Sequence, residues 1–136
     1  MALAAPLPDL DEPSDTPAWL STVHRQIQDL LKLRPNWDGY GGKKIDPRRA
    51  QLVLDVLRVV MTEQTPIPAI VPGSDGGVQL EWHCGQVDLE VEALSPLKLS
   101  VSFEDLATGD EWDQETYDFT PIAKALNRIP QREAIG

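Results

Sequence analysis

Val78-Gln79-Leu80-Glu81-Trp82-His83-Cys84-Gly85-Gln86-Val87-Asp88-Leu89-Glu90-Val91-Glu92 reads as a β-hairpin, and its phase decides the fold. Val78, Leu80, Trp82 and Cys84 alternate with Gln79, Glu81 and His83. After Gly85-Gln86, Val87, Leu89 and Val91 alternate with Asp88, Glu90 and Glu92. A period of two marks a strand with one buried face. If Trp82 and Leu89 both face the core, Cys84 pairs with Val87. His83 then opposes Asp88, Glu81 opposes Glu90, and Gln79 opposes Glu92.

The pattern continues downstream. After Ser95-Pro96, Leu97, Leu99, Val101 and Phe103 alternate with Lys98, Ser100, Ser102 and Glu104. A further strand is expected over Glu111 to Phe119. Trp112 is out of phase there with Tyr117 and Phe119, which predicts a bulge or a short strand. Upstream, a short strand near Ile67 to Val71 precedes a turn through Gly73-Ser74-Asp75-Gly76.

Helices flank the strands. Thr16-Pro17, Asp46-Pro47 and Thr120-Pro121 each place a capping oxygen before a proline, a helix-start signal. The first helix should run from Pro17 to Leu33, with Leu20, Val23, Ile27, Leu30 and Leu31 inward. The second should run from Pro47 to Glu63, with Val53, Val56, Leu57, Val60 and Met61 inward. The third is short, Pro121 to Arg128, with Ile122, Ala125 and Leu126 buried. The expected class is α+β: two N-terminal helices, an antiparallel β-meander of four strands (five if Ile67–Val71 counts), and a short C-terminal helix. Residues 16–130 form the predicted domain. Residues 1–15 read as a flexible acidic, proline-rich arm and 131–136 as a flexible tail. The first fifteen residues lack a basic n-region, so no secretory signal is expected.

Two stretches carry a resemblance. Pro35-Asn36-Trp37-Asp38-Gly39-Tyr40-Gly41 and Pro72-Gly73-Ser74-Asp75-Gly76-Gly77-Val78-Gln79-Leu80-Glu81-Trp82 resemble those of small uncharacterised bacterial proteins. In that group an NWDGYGA loop precedes a helix and a PDGGIxLEW strand opens a meander. Here Gly42 replaces the alanine, and Gly73-Ser74 interrupts the proline–aspartate spacing. The resemblance implies a bacterial or phage-derived context and a sheet-plus-helices domain. It brings no activity.

Charge narrows the function. The 136 residues contain 22 acidic and 12 Lys and Arg residues, a formal net charge of −10. Phosphate backbones would be repelled, so direct nucleic-acid binding is not expected. From Glu81 to Asp118 there are eleven acidic residues and one basic one, Lys98. From Lys32 to Arg49 the balance reverses: Lys32, Arg34, Lys43, Lys44, Arg48 and Arg49 face only Asp38 and Asp46. A bipolar molecule is expected, with the charge orienting association. No apolar run is long enough to span a membrane. Cys84 is the only cysteine, so no internal disulfide can form, which suits a reducing cytoplasm.

Two candidate sites follow. The first is the outward face of the strands: Glu81, His83, Asp88, Glu90, Glu92 and Glu104. It reads either as a solvated surface or as a face that meets a basic partner. The second is the loop with Asn36, Trp37, Asp38, Tyr40, Lys43 and Lys44. It reads either as a ligand-binding loop or as a helix connector whose aromatics close the end of the core. Its glycines match neither phosphate-binding signature. His83 and Cys84 point to opposite faces, which argues against a shared metal, and no cofactor is expected. Cys84 sits at a core-facing position and no G-x-S-x-G occurs, so catalysis has no foothold. The leading expectation is a non-enzymatic acidic protein that occupies the basic surface of a partner, as an antitoxin, immunity protein or inhibitor of a nucleic-acid enzyme does. A ligand-binding module or enzyme at the loop is the second. Self-assembly through the two oppositely charged regions is the third.

Overall fold

The computed structural model describes residues 17–131. The predicted arm, the tail beyond Gln131 and the Thr16 cap lie outside them. Within them the chain forms α1 (Ala18–Leu31), α2 (Pro47–Val60), β1 (Ala69–Pro72), β2 (Val78–Cys84), β3 (Val87–Ala93), β4 (Leu99–Asp105), β5 (Asp110–Thr116) and α3 (Thr120–Leu126). The five strands make one antiparallel sheet in the order β1-β2-β3-β4-β5. The α+β class is therefore as the alternation predicts, with the fifth strand present at Ala69–Pro72.

The β2–β3 register is the one derived above: Cys84↔Val87, His83↔Asp88, Glu81↔Glu90 and Gln79↔Glu92. Alternation then sends Leu80, Trp82, Leu89, Val91, Val101 and Phe103 inward, and all six are buried. The Trp82 indole N–H would be an orphan in that core, but it donates to Pro66 O at 2.7 Å.

Three helices cover the inner face. α2 supplies Val53, Val56 and Leu57, all buried, and α1 supplies Trp19, Val23 and Ile27. α1 packs against β1 and α2, α2 against β2 and β3, and α3 against β4. β5 lies past the end of this helical layer. Trp112 on its inner side is only partly buried, and Gln114 is exposed.

Several expectations need correction. β5 has no bulge: its pairing with β4 is continuous from Leu99↔Thr116 to Asp105↔Asp110. The phase conflict disappears because the strand stops at Thr116. The Thr116 hydroxyl bonds both N–H and C=O of Asp118 and turns the chain away, leaving Tyr117 exposed. β4 begins at Leu99, and Leu97 is exposed in the preceding turn. The Asp46 cap is present, its side chain accepting from Arg48 N. The Thr120 cap is not. The α3 N-cap is Phe119, and Asp118 Oδ1 accepts from Thr120 N instead.

Arg49 joins the helical layer to the sheet. It is buried on α2. Its Nε donates to Ala93 O at 2.8 Å and its Nη2 meets Asp75 Oδ2 at 2.9 Å. Arg49→Met keeps most of the aliphatic bulk and leaves the buried Ala93 carbonyl without its donor. It should lower unfolding stability by about 1–3 kcal/mol, measured by urea denaturation.

Candidate functional site

Among the described residues, no helix covers the outer face of the sheet. Strand register sorts its side chains into three rows. One row runs His83, Asp88, Glu104, Glu111 across β2 to β5. The next runs Ala69, Glu81, Glu90, Ser102, Asp113 across all five strands, and the third Val71, Gln79, Glu92, Ser100, Glu115. All six residues expected on this face, Glu81, His83, Asp88, Glu90, Glu92 and Glu104, therefore share it. Glu111, Asp113 and Glu115 join them, which the search for a bulge in β5 had obscured.

Carboxylates face carboxylates at three directly opposed pairs: Glu81↔Glu90, Asp88↔Glu104 and Glu104↔Glu111. Each such pair opposes folding by a few tenths to about 1 kcal/mol. Local compensation is partial. Gln79 Nε2 donates to Glu81 at 2.7 Å, Lys98 pairs with Glu115 at 2.7 Å, and the Ser102 hydroxyl donates to Asp113. Among the described residues, the side chains of Glu90, Glu92, Glu104 and Glu111 make neither an ion pair nor a hydrogen bond. Glu90 sits in the middle of this group, on the central strand.

His83 is the one imidazole on the face. Its Nδ1 lies 2.8 Å from Asp88 and its Nε2 3.3 Å from Glu81. Asp88, and after it Glu81, hold the imidazole pKa above its ordinary value. Cys84 points the other way, and burial pushes its thiol up, so it is a poor nucleophile. No group of three His, Cys, Asp or Glu side chains among the described residues is placed to hold a metal ion.

The second candidate is a loop closed on itself. Asn36, at φ 66°, accepts from Gly41 N through its side chain, and its own N–H donates to Gly42 O. Asp38 Oδ1 accepts from Tyr40 N at 2.9 Å and Gly42 N at 2.8 Å, which holds its carboxyl below the usual range. A Cβ on Gly42 would lie 2.7 Å from that oxygen, so the glycine leaves room for the Asp38 carboxylate. Trp37 Nε1 donates to Lys43 O, and Lys44 Nζ to Leu31 O at the end of α1. Tyr40 projects into solvent, 92% exposed.

This loop also docks on the β1–β2 turn. Lys43 N donates to Ser74 O and Asp46 N to Gly76 O. Gly76 has φ +91°, and a Cβ there would meet Lys44 O at 2.9 Å. The Asn36–Asp46 loop and the Gly73–Gly77 turn are thus two halves of one interface, with the Arg49–Asp75 ion pair beside it. Arg49 accordingly leaves the basic patch. Lys32, Arg34, Lys43, Lys44 and Arg48 remain exposed.

Sequence reasoning missed a cleft. Phe103 and Trp112, opposite one another on β4 and β5, stack with ring centroids 5.4 Å apart. They line a cleft of about 620 Å³ between β5 and α3, with Gln114, Lys124 and Arg128 at its sides. The Arg128 guanidinium lies 5.3 Å from the Phe103 centroid and pairs with Asp105 and Asp110. Trp37 and Tyr40 line neither this cleft nor two smaller ones. The pointer in the sequence was Trp112 itself, in phase with Gln114 and Thr116 once the strand is ended there.

Compared with family models, with curated proteins and with solved structures, the chain gives no match.

Two measurements bear on the face. Glu90→Gln should raise stability by a few tenths to about 1 kcal/mol at low salt, and the gain should vanish near 1 M salt, where the screening length is about 3 Å. His83 should titrate above 6.5 by NMR and move down in Asp88→Asn. Because the folded pKa is raised, the pair stabilises the fold below the unfolded pKa. That contribution fades as pH rises through the folded value. The stability margin of the wild type over Asp88→Asn should therefore shrink from slightly acidic to alkaline pH.

Proposed function

We propose that this is a non-enzymatic interaction protein whose acidic sheet face covers a basic surface of a partner protein, as an antitoxin, immunity or inhibitor protein does. The observation that carries the reading is the group Glu90, Glu92, Glu104 and Glu111, without ion pairs and set among opposed carboxylate pairs on a face that no helix covers, among the described residues. A solvated face needs charge, but it does not need one sign. Mixed signs would give the same solubility without the repulsion. A basic partner relieves that repulsion on binding, and the field steers it to this side of the molecule.

We favour the sheet face over the loop because Asn36, Asp38, Trp37 and Lys44 spend their polar groups on the chain's own backbone, as a helix connector braced on the β1–β2 turn would. Direct nucleic-acid binding would set phosphates against the carboxylates.

Affinity capture with the wild-type protein and with Glu81→Lys/Glu90→Lys/Glu92→Lys tests the proposal. The wild type should retain a basic protein at low salt and release it as salt rises toward about 0.5 M, where screening shortens to a few ångströms. The triple variant should keep the circular-dichroism spectrum of the fold and lose the capture. Equal capture by both would sink the reading.

A further inference from the structure

We propose that the free edge of β5 accepts an extended segment of the partner as a sixth strand, one whose side chains alternate between basic and apolar. This rests on the acidic-face reading and names how the partner engages.

β5 is the outer strand of the sheet, seven residues long and regularly paired to β4 on one side only among the described residues. Alternate N–H and C=O groups along its other side have no strand to bond, which is the template that strand addition uses. Both faces of this edge favour one kind of guest. On the inner face the helical layer ends at β4, leaving Trp112 partly buried above the 620 Å³ cleft and Gln114 exposed. Every second side chain of an added strand would reach over Trp112 toward that cleft, where apolar groups gain from leaving water. On the outer face the intervening side chains would lie beside Glu111, Asp113 and Glu115. Lys98 already pairs with Glu115, but among the described residues Glu111 and Asp113 meet no cation. Basic side chains there complete cross-strand pairs of opposite charge.

The same charges decide against a second copy of this chain. Two β5 edges paired antiparallel keep their outer faces on one side, so the Glu111, Asp113 and Glu115 row of one copy would face that of the other. Lys124, beside the cleft, likewise favours an apolar inward residue over a basic one.

The test uses the full chain and three synthetic peptides. The first alternates lysine and valine over seven residues. The second has the same sequence with alternate backbone nitrogens methylated, which removes one edge of hydrogen bonds. The third alternates glutamate and valine. Amide exchange and NMR shifts are read over Asp110–Thr116. Support is slowed exchange across β5 with the first peptide alone, weakened about fivefold by Asp113→Lys, the factor for turning one opposed pair into a like-charge one. Equal binding of the methylated peptide, with shifts over β2 and β3, overturns strand addition and leaves the acidic-face reading standing. No binding of the first peptide, while the Glu81, Glu90 and Glu92 reversal still abolishes partner capture, does the same. If that reversal leaves capture intact, the acidic-face reading fails independently of the peptide result. Protection in the free protein of the outward β5 amides, those that do not bond β4, or a dimer by sedimentation that Asp113→Lys strengthens, places the chain itself on the edge and overturns the proposal.

Discussion

The pairing of Trp82 with Leu89 across β2 and β3 sets the phase for everything else in the sheet. Side chains alternate strictly along a strand, so a one-residue slip would exchange the two faces. Here it would carry Glu81, Glu90 and Glu92 under α2 and put Leu80, Leu89 and Val91 in water. Burying three carboxylates without partners is prohibitive, so the register has no near competitor. The helices then have a single face to cover, and Glu81, Asp88, Glu90, Glu92, Glu104, Glu111, Asp113 and Glu115 are left together on the other. The charged face is a consequence of the same alternation that builds the core.

Holding the helices on that one face falls to a small set of backbone bonds and one guanidinium. Arg49 reaches from α2 to the last residue of β3 and to the β1–β2 turn. Gly77 lies so close to the Arg49 guanidinium that a Cβ there would displace it, and Gly76 lets the turn approach the Lys44 carbonyl. The two glycine-rich segments are therefore matched parts. The space at Gly76 is taken by the Lys44 carbonyl of the other segment, and that at Gly77 by the Arg49 guanidinium. A loop rich in aromatic and polar groups is thereby braced on the β1–β2 turn. Its unusual residues answer to a neighbouring turn.

The strands were legible because alternation is a local signal with a strong physical cause. The Gly85-Gln86 turn fixed the hairpin register, and with it four correctly opposed pairs. Membership of Glu81, His83, Asp88, Glu90, Glu92 and Glu104 on one face followed directly. What failed were features set by contacts distant in sequence. Arg49 looked like part of a basic run, and only the approach of Ala93 and Asp75 makes it buried. Trp112 looked out of phase because Tyr117 and Phe119 were counted in its strand. The Thr116–Asp118 turn that separates them is made by a hydroxyl, which hydrophobic patterning does not register. The cleft beside Trp112 depends on how far the helical layer reaches, and α3 stops after seven residues.

The acidic face and the open edge bear on each other. An exposed edge strand invites pairing with other chains, and charge is a common defence. Defence alone would explain Glu111, Asp113 and Glu115, which lie on the edge. It does not explain Glu81, Glu90 and Glu92, which lie on interior strands where nothing can pair. Asp and Glu are also poorly suited to strands, where threonine or alternating charges would serve a wet surface better. The sign of the face is thus uniform beyond what the edge requires, and at a cost in stability at three opposed pairs. The edge repels its own copies for the same reason that the face repels anions. A basic segment is the one kind of neighbour to which both surfaces offer a favourable contact.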